Sequence, residues 1–209
     1  MTVATTPIGL LLATMEPPAN IEEEFQDWYD TEHFPERESC PGFLTANRFV
    51  CVDGWPRYVA MYDLEDVEVL RGEGYHKIAH ARYSAWTHRI IAKVTGQYRA
   101  EGVQVYPGDG LHGKAGPSSR TMVLRFRAVR DEAGLVHGLR EAFEGRPQTT
   151  QLRVFKVAPA DTGDYLAMAE LRASVEVDVG ALGEAGKHVD MINTYVVYAR
   201  KAPGAFPKT

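Results

Sequence analysis

The sequence predicts an α+β fold built from two tandem βαββαβ units. Its 209 residues are 44% hydrophobic and 24% charged, which suits one large folded domain or two small ones. Strand-like and helix-like segments follow one another in the same order twice. A glycine-rich segment separates the halves. We therefore expect a first unit at 1–108, a linker at 109–118 and a second unit at 119–209.

The first half contains four predicted strands and two predicted helices. The strands are expected at 8–15, 43–52, 57–64 and 97–106, and the second helix at 75–94. Asn20 and Glu23 form a capping-box pattern, which predicts that the first helix starts at Ile21. Because Pro35 disfavours helical geometry at the residue before it, this helix is expected to end near 33–34.

The second half repeats this order. Strands are expected at 121–128, 149–157, 164–171 and 191–200, and helices at 132–143 and 177–188. The segment from Tyr58 to Leu64 recurs as Tyr165 to Leu171, and Arg48 and Arg153 are interpreted as equivalent structural cations. The order is that of the split βαβ, or ferredoxin-like, motif used twice. Since each sheet carries its helices on one face, the two antiparallel sheets are expected to pack face to face.

Charge and cysteine content exclude several classes of function. The chain has 23 basic and 28 acidic residues, a balance that disfavours nucleic acid and anionic membranes as partners. Its two cysteines are too few for a disulfide framework. The first residues lack the basic region of a signal peptide, and no apolar run is long enough to span a membrane. We expect a cytoplasmic protein whose partner is a small molecule.

The first half also carries a family resemblance, over about residues 7 to 108. The matching residues are Phe25, Trp28, Tyr29, Glu32, His33, Pro35 and Arg37, then Pro41-Gly42-Phe43, Tyr58, Ala60, Tyr62 and Leu64, Trp86-Thr87 with Arg89, and Val103 to Gly108. This pattern resembles the EthD-like branch of the dimeric α/β-barrel superfamily. The resemblance implies two ferredoxin-like units forming one barrel, here within one chain. It also implies small-molecule chemistry, since the superfamily includes muconolactone isomerases, polyketide cyclases, cofactor-free oxygenases and haem-binding enzymes.

The first helix supplies the candidate catalytic residues. Its core-facing stripe contains Ile21, Phe25, Trp28 and Glu32. Tyr29 and His33 lie together on the flank of that stripe. Glu32 and His33 are the first candidates for proton transfer, because burial tunes a carboxyl and histidine titrates near neutral pH. In the structural alternative, Glu32 pairs with Arg37 and His33 only ends the helix.

Aromatic residues of the first half are candidates for substrate binding. These candidates are Trp28, Tyr62, Tyr83 and Trp86, with Arg82 at the edge. Tyr62 has Ala169 as its counterpart in the second half, which indicates a pocket on one side only. The second-half helix lacks the aromatic pair and the Glu-His pair, so the working pocket is expected in the first half. An ordinary aromatic core would show the same composition.

Metal and cofactor signals are weaker. His76 and His80 are four residues apart, a spacing that can bind a metal, but no carboxylate completes a zinc-protease motif. A haem could use His33, His76 or His80 as its axial ligand, and nothing in their spacing selects one. Gly108 to Gly113 matches the dinucleotide fingerprint, yet a strand follows where a helix is needed. No cofactor is expected.

These observations lead to a functional hypothesis with two alternatives. The hypothesis is a small-molecule enzyme that uses acid/base groups near His33 on an apolar aromatic or polyketide-like substrate. The reaction is an isomerisation, cyclisation, dehydration or cofactor-free oxygenation. The alternatives are a non-catalytic ligand-binding or partner-binding module, and a haem-dependent or metal-dependent oxidoreductase. Whether two chains form a homodimer is left open.

Overall fold

The computed structural model describes residues 6–79 and 82–199. The strands of this part of the chain are β1 (Gly9–Glu16), β2 (Phe43–Asp53), β3 (Tyr58–Leu64), β4 (Thr95–Tyr106), β5 (Arg120–Phe126), β6 (Thr149–Val157), β7 (Tyr165–Leu171) and β8 (Val189–Val197). The α-helices are α1 (Glu22–Trp28), α2 (Phe34–Glu38), α3 (Glu73–His76), α4 (Ala85–Ile91) and α5 (Glu132–Phe143). A π-helical turn, Tyr29–His33, joins α1 to α2, and 3₁₀ segments occur at Ala19–Ile21, Val67–Arg71 and Val179–His188. Within the described ranges, no helix has the length and apolar character needed to cross a membrane.

The strands form one closed antiparallel barrel in the order β1-β3-β2-β8-β5-β7-β6-β4. Each half contributes four neighbouring strands, β4-β1-β3-β2 from the first half and β6-β7-β5-β8 from the second. The halves join where β2 pairs with β8 and where β4 pairs with β6. The predicted α+β class and the closure of two sheets into a barrel are therefore confirmed.

Three apolar clusters stabilise this barrel. One fills its interior, and the other two lie outside it, each between the strands of one half and the helices of that half. In β3, Val59 and Met61 belong to the interior cluster, whereas Tyr58, Ala60 and Tyr62 belong to the first outer cluster. This division follows from the two-residue period of a strand. All residues of β3 and β7 are buried, because both faces of these strands are covered.

The first helix differs from its prediction at both ends. Asn20 is exposed and makes no capping bond, since a 3₁₀ turn precedes α1 and leaves Ile21 at the N-cap. The chain also remains helical past Pro35, because a π turn intervenes in which the Phe34 N–H donates to the Tyr29 carbonyl. Pro35 then occupies the first turn of α2, where its missing N–H costs no hydrogen bond. The α-helix therefore begins one residue after the predicted start at Ile21, and the predicted end near 33–34 is wrong.

The predicted continuous helix at 75–94 is also wrong. Ser84 has an extended backbone with ψ of 162°, and its side chain accepts a hydrogen bond from the Thr87 N–H. Serine at such a position starts a helix, so α4 begins as a separate element at Ala85. The same predicted helix includes His80, which lies outside the described residues, as does residue 200 at the end of the last predicted strand.

Strand register shows how the two halves correspond. Gly9 pairs with Leu64 in the first half as Arg120 pairs with Leu171 in the second. Arg48, however, lies opposite Ala60, whereas Arg153 lies opposite Met168. Ala60 and Met168 belong to different clusters, one outside the barrel and one inside it. The predicted equivalence of Arg48 and Arg153 is therefore wrong, because a one-residue slip moves a side chain to the other face.

Candidate functional site

His33 lies at the end of the π turn and is buried in the outer core of the first half. Only 6% of its surface is exposed. Its ring centroid lies 4.2 Å from that of Trp28, 5.2 Å from that of Tyr29 and 6.4 Å from that of Tyr83. Among the described residues its Nδ1 atom has no hydrogen-bond partner. A buried polar atom without a partner is uncommon and calls for an explanation.

The surroundings of His33 keep its imidazole neutral. Burial lowers the pKa of His33 well below 6.5, and the positive charges of Arg37 and Arg48 lower it further. Desolvation and nearby like charge both disfavour the protonated form. At neutral pH the ring is therefore a neutral base.

Arg48 on β2 supplies a fixed positive charge beside this ring. Its guanidinium donates to Asp30 Oδ1 at 2.7 Å and to Gln26 Oε1 at 2.6 Å. Its Cζ atom lies 4.0 Å from the ring centroid of Tyr29 and 4.2 Å from that of Tyr198. Stacking and paired hydrogen bonds suit the planar guanidinium and hold it in place.

Arg37 on α2 is the second cation near His33. Its side chain is almost fully buried, and one nitrogen lies 3.1 Å from Glu36 Oε2. Another nitrogen donates to the Ile78 carbonyl at 3.2 Å. Its Cζ atom lies 5.9 Å from the centroid of the Tyr83 ring. The alternative pair of Arg37 with Glu32 does not occur among the described ion pairs.

Tyr62 on β3 provides a second buried polar atom without a partner. It is 2% exposed, and its hydroxyl makes no hydrogen bond to any described residue. Burial raises the pKa of Tyr62 well above 10, so the phenol stays protonated and can donate a hydrogen bond. Register places Tyr62 opposite Leu11 and Ala169 opposite Met122, which agrees with the predicted correspondence. Burial also raises the pKa of Tyr29.

Glu32 makes contacts that fix the π turn to α4. Its Oε1 atom accepts hydrogen bonds from Ser84 Oγ at 2.6 Å and from Thr87 Oγ1 at 2.9 Å. Trp28 Nε1 donates to the same Thr87 hydroxyl at 2.9 Å. The carboxylate thus faces α4 and anchors two elements to each other.

The other predicted site residues lie in different surroundings. Tyr83 is half-buried and close to His33, whereas Arg82 is exposed. Trp86 is half-buried on α4 and lies beside Glu24. The pKa of Glu24 is lowered mainly by Arg89 and to a smaller extent by Trp86. His76 is exposed on α3. The described residues contain no group of three or more potential ligands that could hold a metal ion.

Sequence reasoning missed a polar cluster inside the barrel. The Arg153 guanidinium lies 2.6 Å from Asp63 Oδ1 and 3.5 Å from Glu170 Oε1, and all three side chains are buried. The predicted linker enters this cluster, because the backbone N–H groups of His112 and Gly113 donate to Asp63 and Glu170. Asp63 and Glu170 occupy the same position in the repeated strand segment, and this recurrence was the available signal.

Cavities of several hundred cubic ångströms border the described residues of the second half. One of about 1100 Å³ lies beside β5 and β8, and one of about 530 Å³ lies between α5 and the segment Val179–His188. Haem needs an axial side chain facing an apolar cavity. The lining of the larger cavity has no histidine, cysteine or tyrosine. The smaller cavity has His137 and His188, but charged side chains line it as well. Met122, which lines the larger cavity, is the one side chain there of a type that ligates haem iron.

Comparisons with known proteins agree with this architecture. No protein-family model matches the sequence, and no curated protein sequence matches it. Among solved structures, an anthrone oxidase-like protein has a TM-score of 0.61 at 12% identity, covering 96% of this chain and 95% of the other. A proposed monooxygenase from Lactobacillus acidophilus has a TM-score of 0.53 at 7% identity, with coverages of 93% and 95%. Chlorite dismutase from Candidatus Nitrospira defluvii has a TM-score of 0.60 at 10% identity, with coverages of 94% and 93%.

These similarities define a class of fold. The closed eight-stranded barrel with outer helices is the dimeric α/β-barrel fold, formed here within a single chain. At such low identity the similarity concerns the fold alone.

Proposed function

We propose that the protein is a small-molecule enzyme in which His33 removes a proton from an apolar aromatic or polyketide-like substrate. One observation carries the proposal. His33 is a buried neutral imidazole whose Nδ1 atom has no partner among the described residues. Such an atom can accept a proton from a bound molecule, and a positioned general base contributes about 10²- to 10⁴-fold to a rate.

The neighbouring groups suit the negative charge that proton removal creates. Arg48 and Arg37 lie close enough to His33 to lower its pKa. The same positive charges would stabilise an enolate or phenolate bound beside the ring. The Tyr62 hydroxyl, which stays protonated and has no described partner, would donate a hydrogen bond to the oxygen of that anion. Glu32 would position the π turn, because Ser84 and Thr87 occupy its carboxylate.

Among the four candidate reactions we favour cofactor-free oxygenation. The anthrone oxidase-like neighbour supports this choice, because anthrone is an aromatic ketone that ionises on losing a proton from its methylene carbon. The anion would give electrons to dioxygen. Overall, anthrone and one dioxygen molecule would give anthraquinone and one water molecule, so that the methylene carbon gains one oxygen atom and the second leaves as water.

The test is oxygen consumption by the purified protein with anthrone as the substrate. We expect turnover by the wild type and a loss of about 10²-fold or more in His33→Ala. His76→Ala is the matched control, since His76 is exposed on α3 and should leave the rate unchanged. Equal rates in His33→Ala and the wild type would refute the catalytic assignment.

We also infer that the two halves are diverged copies of one ferredoxin-like unit, with the first at 1–108 and the second at 119–209. The matching register of β1 with β3 and of β5 with β7 supports this inference. So does the repeated strand order within each half. The EthD-like resemblance of the first half remains a prediction.

A further inference from the structure

The two halves differ in the chain segment that covers the outer face of their first and last strands. These strands are β1 and β4 in the first half and β5 and β8 in the second. In the first half, the segment Val67–His76 lies over β1 and β4. Its Leu70 and Tyr75 are buried, and the Tyr75 hydroxyl accepts a hydrogen bond from Arg99 of β4 at 3.3 Å. An ion pair of 2.6 Å between Arg71 and Glu101 of β4 holds the same segment. Protein atoms therefore fill this position in the first half.

The corresponding segment of the second half leaves this position open. After β7 the chain runs through 172–178 without a helix, and Val179–His188 then packs on α5. This packing is close, since a Cβ atom on Gly138 of α5 would lie 3.2 Å from the Leu182 carbonyl oxygen. Because the segment sits on α5, the outer face of β5 and β8 borders the cavity of about 1100 Å³.

The cavity lining combines apolar side chains with two arginines and several other polar side chains. Met122 on β5 and Ile192 on β8 belong to the outer core of this half, as does Val175 from the 172–178 segment. Such a surface suits the apolar body of a small molecule. Arg120 and Arg146 also line the cavity.

These two arginines retain free donors. Both are half-buried, and neither forms an ion pair with a described residue. Arg146 donates to the Glu176 carbonyl at 2.9 Å, and Arg120 to Ser119 Oγ at 3.3 Å. Each guanidinium has five N–H donors, so most of them remain available. The acidic side chains in the lining, Asp53 and Glu176, are exposed, and water and salt screen their charges more strongly.

We propose that this second-half cavity binds a small amphipathic carboxylate. Its apolar body lies against Met122, Ile192 and Val175, and its carboxylate is held by Arg120 and Arg146. Arginine suits this role, because its planar fork binds a carboxylate through two hydrogen bonds. The site lies in the opposite half from His33, so its occupancy does not depend on the proposed reaction.

The test is isothermal titration calorimetry of the purified protein with 2-naphthoate. The uncharged naphthalene-2-carboxamide is the matched control ligand. We expect one naphthoate per chain, and binding weaker by about tenfold or more for the carboxamide and for Arg120→Gln/Arg146→Gln. Arg130→Gln should bind as the wild type does, because Arg130 is exposed at the smaller cavity. Val175→Trp should weaken binding by placing an indole where the apolar body of the ligand would lie, while circular dichroism shows an intact fold.

Three results would overturn the proposal. They are absence of binding at millimolar naphthoate, equal affinity for the acid and the amide, and unchanged affinity in the double arginine variant. If Val175→Trp fails to fold, the arginine variant decides the question, since it replaces half-buried surface side chains and fills no space. Loss of binding in Tyr62→Phe with normal binding in the arginine variant would place the ligand in the first half and refute the proposal.

Discussion

At the scale of the residue, two buried polar atoms of the first half lie near the positive charges of Arg37 and Arg48. His33 Nδ1 and the Tyr62 hydroxyl have no described partner, although Tyr62 belongs to the outer apolar cluster of this half and the His33 ring lies against Trp28 and Tyr29 of the same cluster. Leaving a buried polar group unpaired costs about 1–3 kcal/mol. The ligand contact proposed above would offset this cost, and the unpaired atoms have consequences for stability that can be measured.

His33 should make stability depend on pH. Burial lowers its pKa well below 6.5, so the folded protein keeps the ring neutral while the unfolded chain binds a proton below about pH 6.5. The free energy of unfolding should therefore fall as the pH drops below 6.5, until it reaches the lowered pKa, with a contribution of up to about 1.4 kcal/mol per pH unit. Urea denaturation of the wild type and of His33→Gln from pH 7.5 to pH 5 measures this pH dependence of the free energy of unfolding. A slope that is the same in both proteins would contradict the prediction.

Tyr62→Phe should lower activity without lowering stability. The substitution removes a hydroxyl that has no described partner, so the free energy of unfolding should stay the same or rise by about 1 kcal/mol. Turnover should fall by about tenfold or more if the phenol stabilises the anionic intermediate. Denaturant titration and oxygen consumption measure the two effects. Tyr195→Phe is the control, because its hydroxyl accepts from Asn193 at 2.8 Å and its loss should destabilise the protein. Full activity in Tyr62→Phe would exclude a catalytic contribution from the hydroxyl.

At the scale of the element, the π turn and α4 depend on each other. Ser84 caps α4 through the Thr87 N–H and also donates to Glu32 on the π turn. Ser84, which interrupts the predicted helix at 75–94, therefore also connects the π turn that carries His33 to α4. These contacts fix one carboxylate oxygen of Glu32, Oε1, between the π turn and α4.

Ser84→Ala should destabilise the protein by about 1–2 kcal/mol, because it removes an N-cap and a hydrogen bond to a carboxylate. Ser39→Ala is the matched control. Ser39 is exposed at the end of α2, and its hydroxyl bonds only backbone carbonyls, so the change should cost less than about 0.5 kcal/mol. Guanidinium denaturation of the two variants gives both values. A loss in Ser84→Ala as small as that in Ser39→Ala would show that the connection contributes little.

At the scale of the whole molecule, the barrel joins the halves into one unit. Besides the strand pairs β2–β8 and β4–β6, the buried ion pair of Arg153 with Asp63 connects the second half to the first. The segment between the halves is bound to the same cluster through His112 and Gly113. We expect the halves to unfold together.

Arg153→Met should destabilise the protein by about 3–5 kcal/mol, because it leaves the Asp63 carboxylate buried without its cation. Arg140→Met, which breaks an exposed pair with Glu144 on α5, should cost less than about 1 kcal/mol. Thermal denaturation followed by circular dichroism measures both variants. The prediction fails if Arg153→Met is as stable as Arg140→Met, or if the wild type unfolds in two separate transitions.

The sequence predicts elements whose bounds depend on local hydrophobic periodicity. It does not predict features that depend on strand register or on contacts between distant parts of the chain. The bounds of α5 and β6 follow from periodicity, and the structure confirms both predictions. The π turn could not be predicted, because Pro35 is a valid helix stop unless a wider turn removes the need for its N–H. Arg153 lies inside the barrel because of its strand register. The sequence comparison aligns Arg153 with Arg48, but the register places Arg153 one residue away from the position that is equivalent to Arg48. The binding of the linker to Asp63 and Glu170 is a long-range contact that glycine content does not reveal.

The role of His33 is tested most directly by measuring proton removal without the oxygen chemistry. Under anaerobic conditions in D₂O, the methylene hydrogens of the test substrate anthrone exchange with solvent whenever a base ionises it, and NMR follows their loss. If His33 is the base, the wild type and His76→Ala accelerate this exchange and His33→Ala does not. Exchange in His33→Ala as fast as in the wild type would show that His33 is not the base.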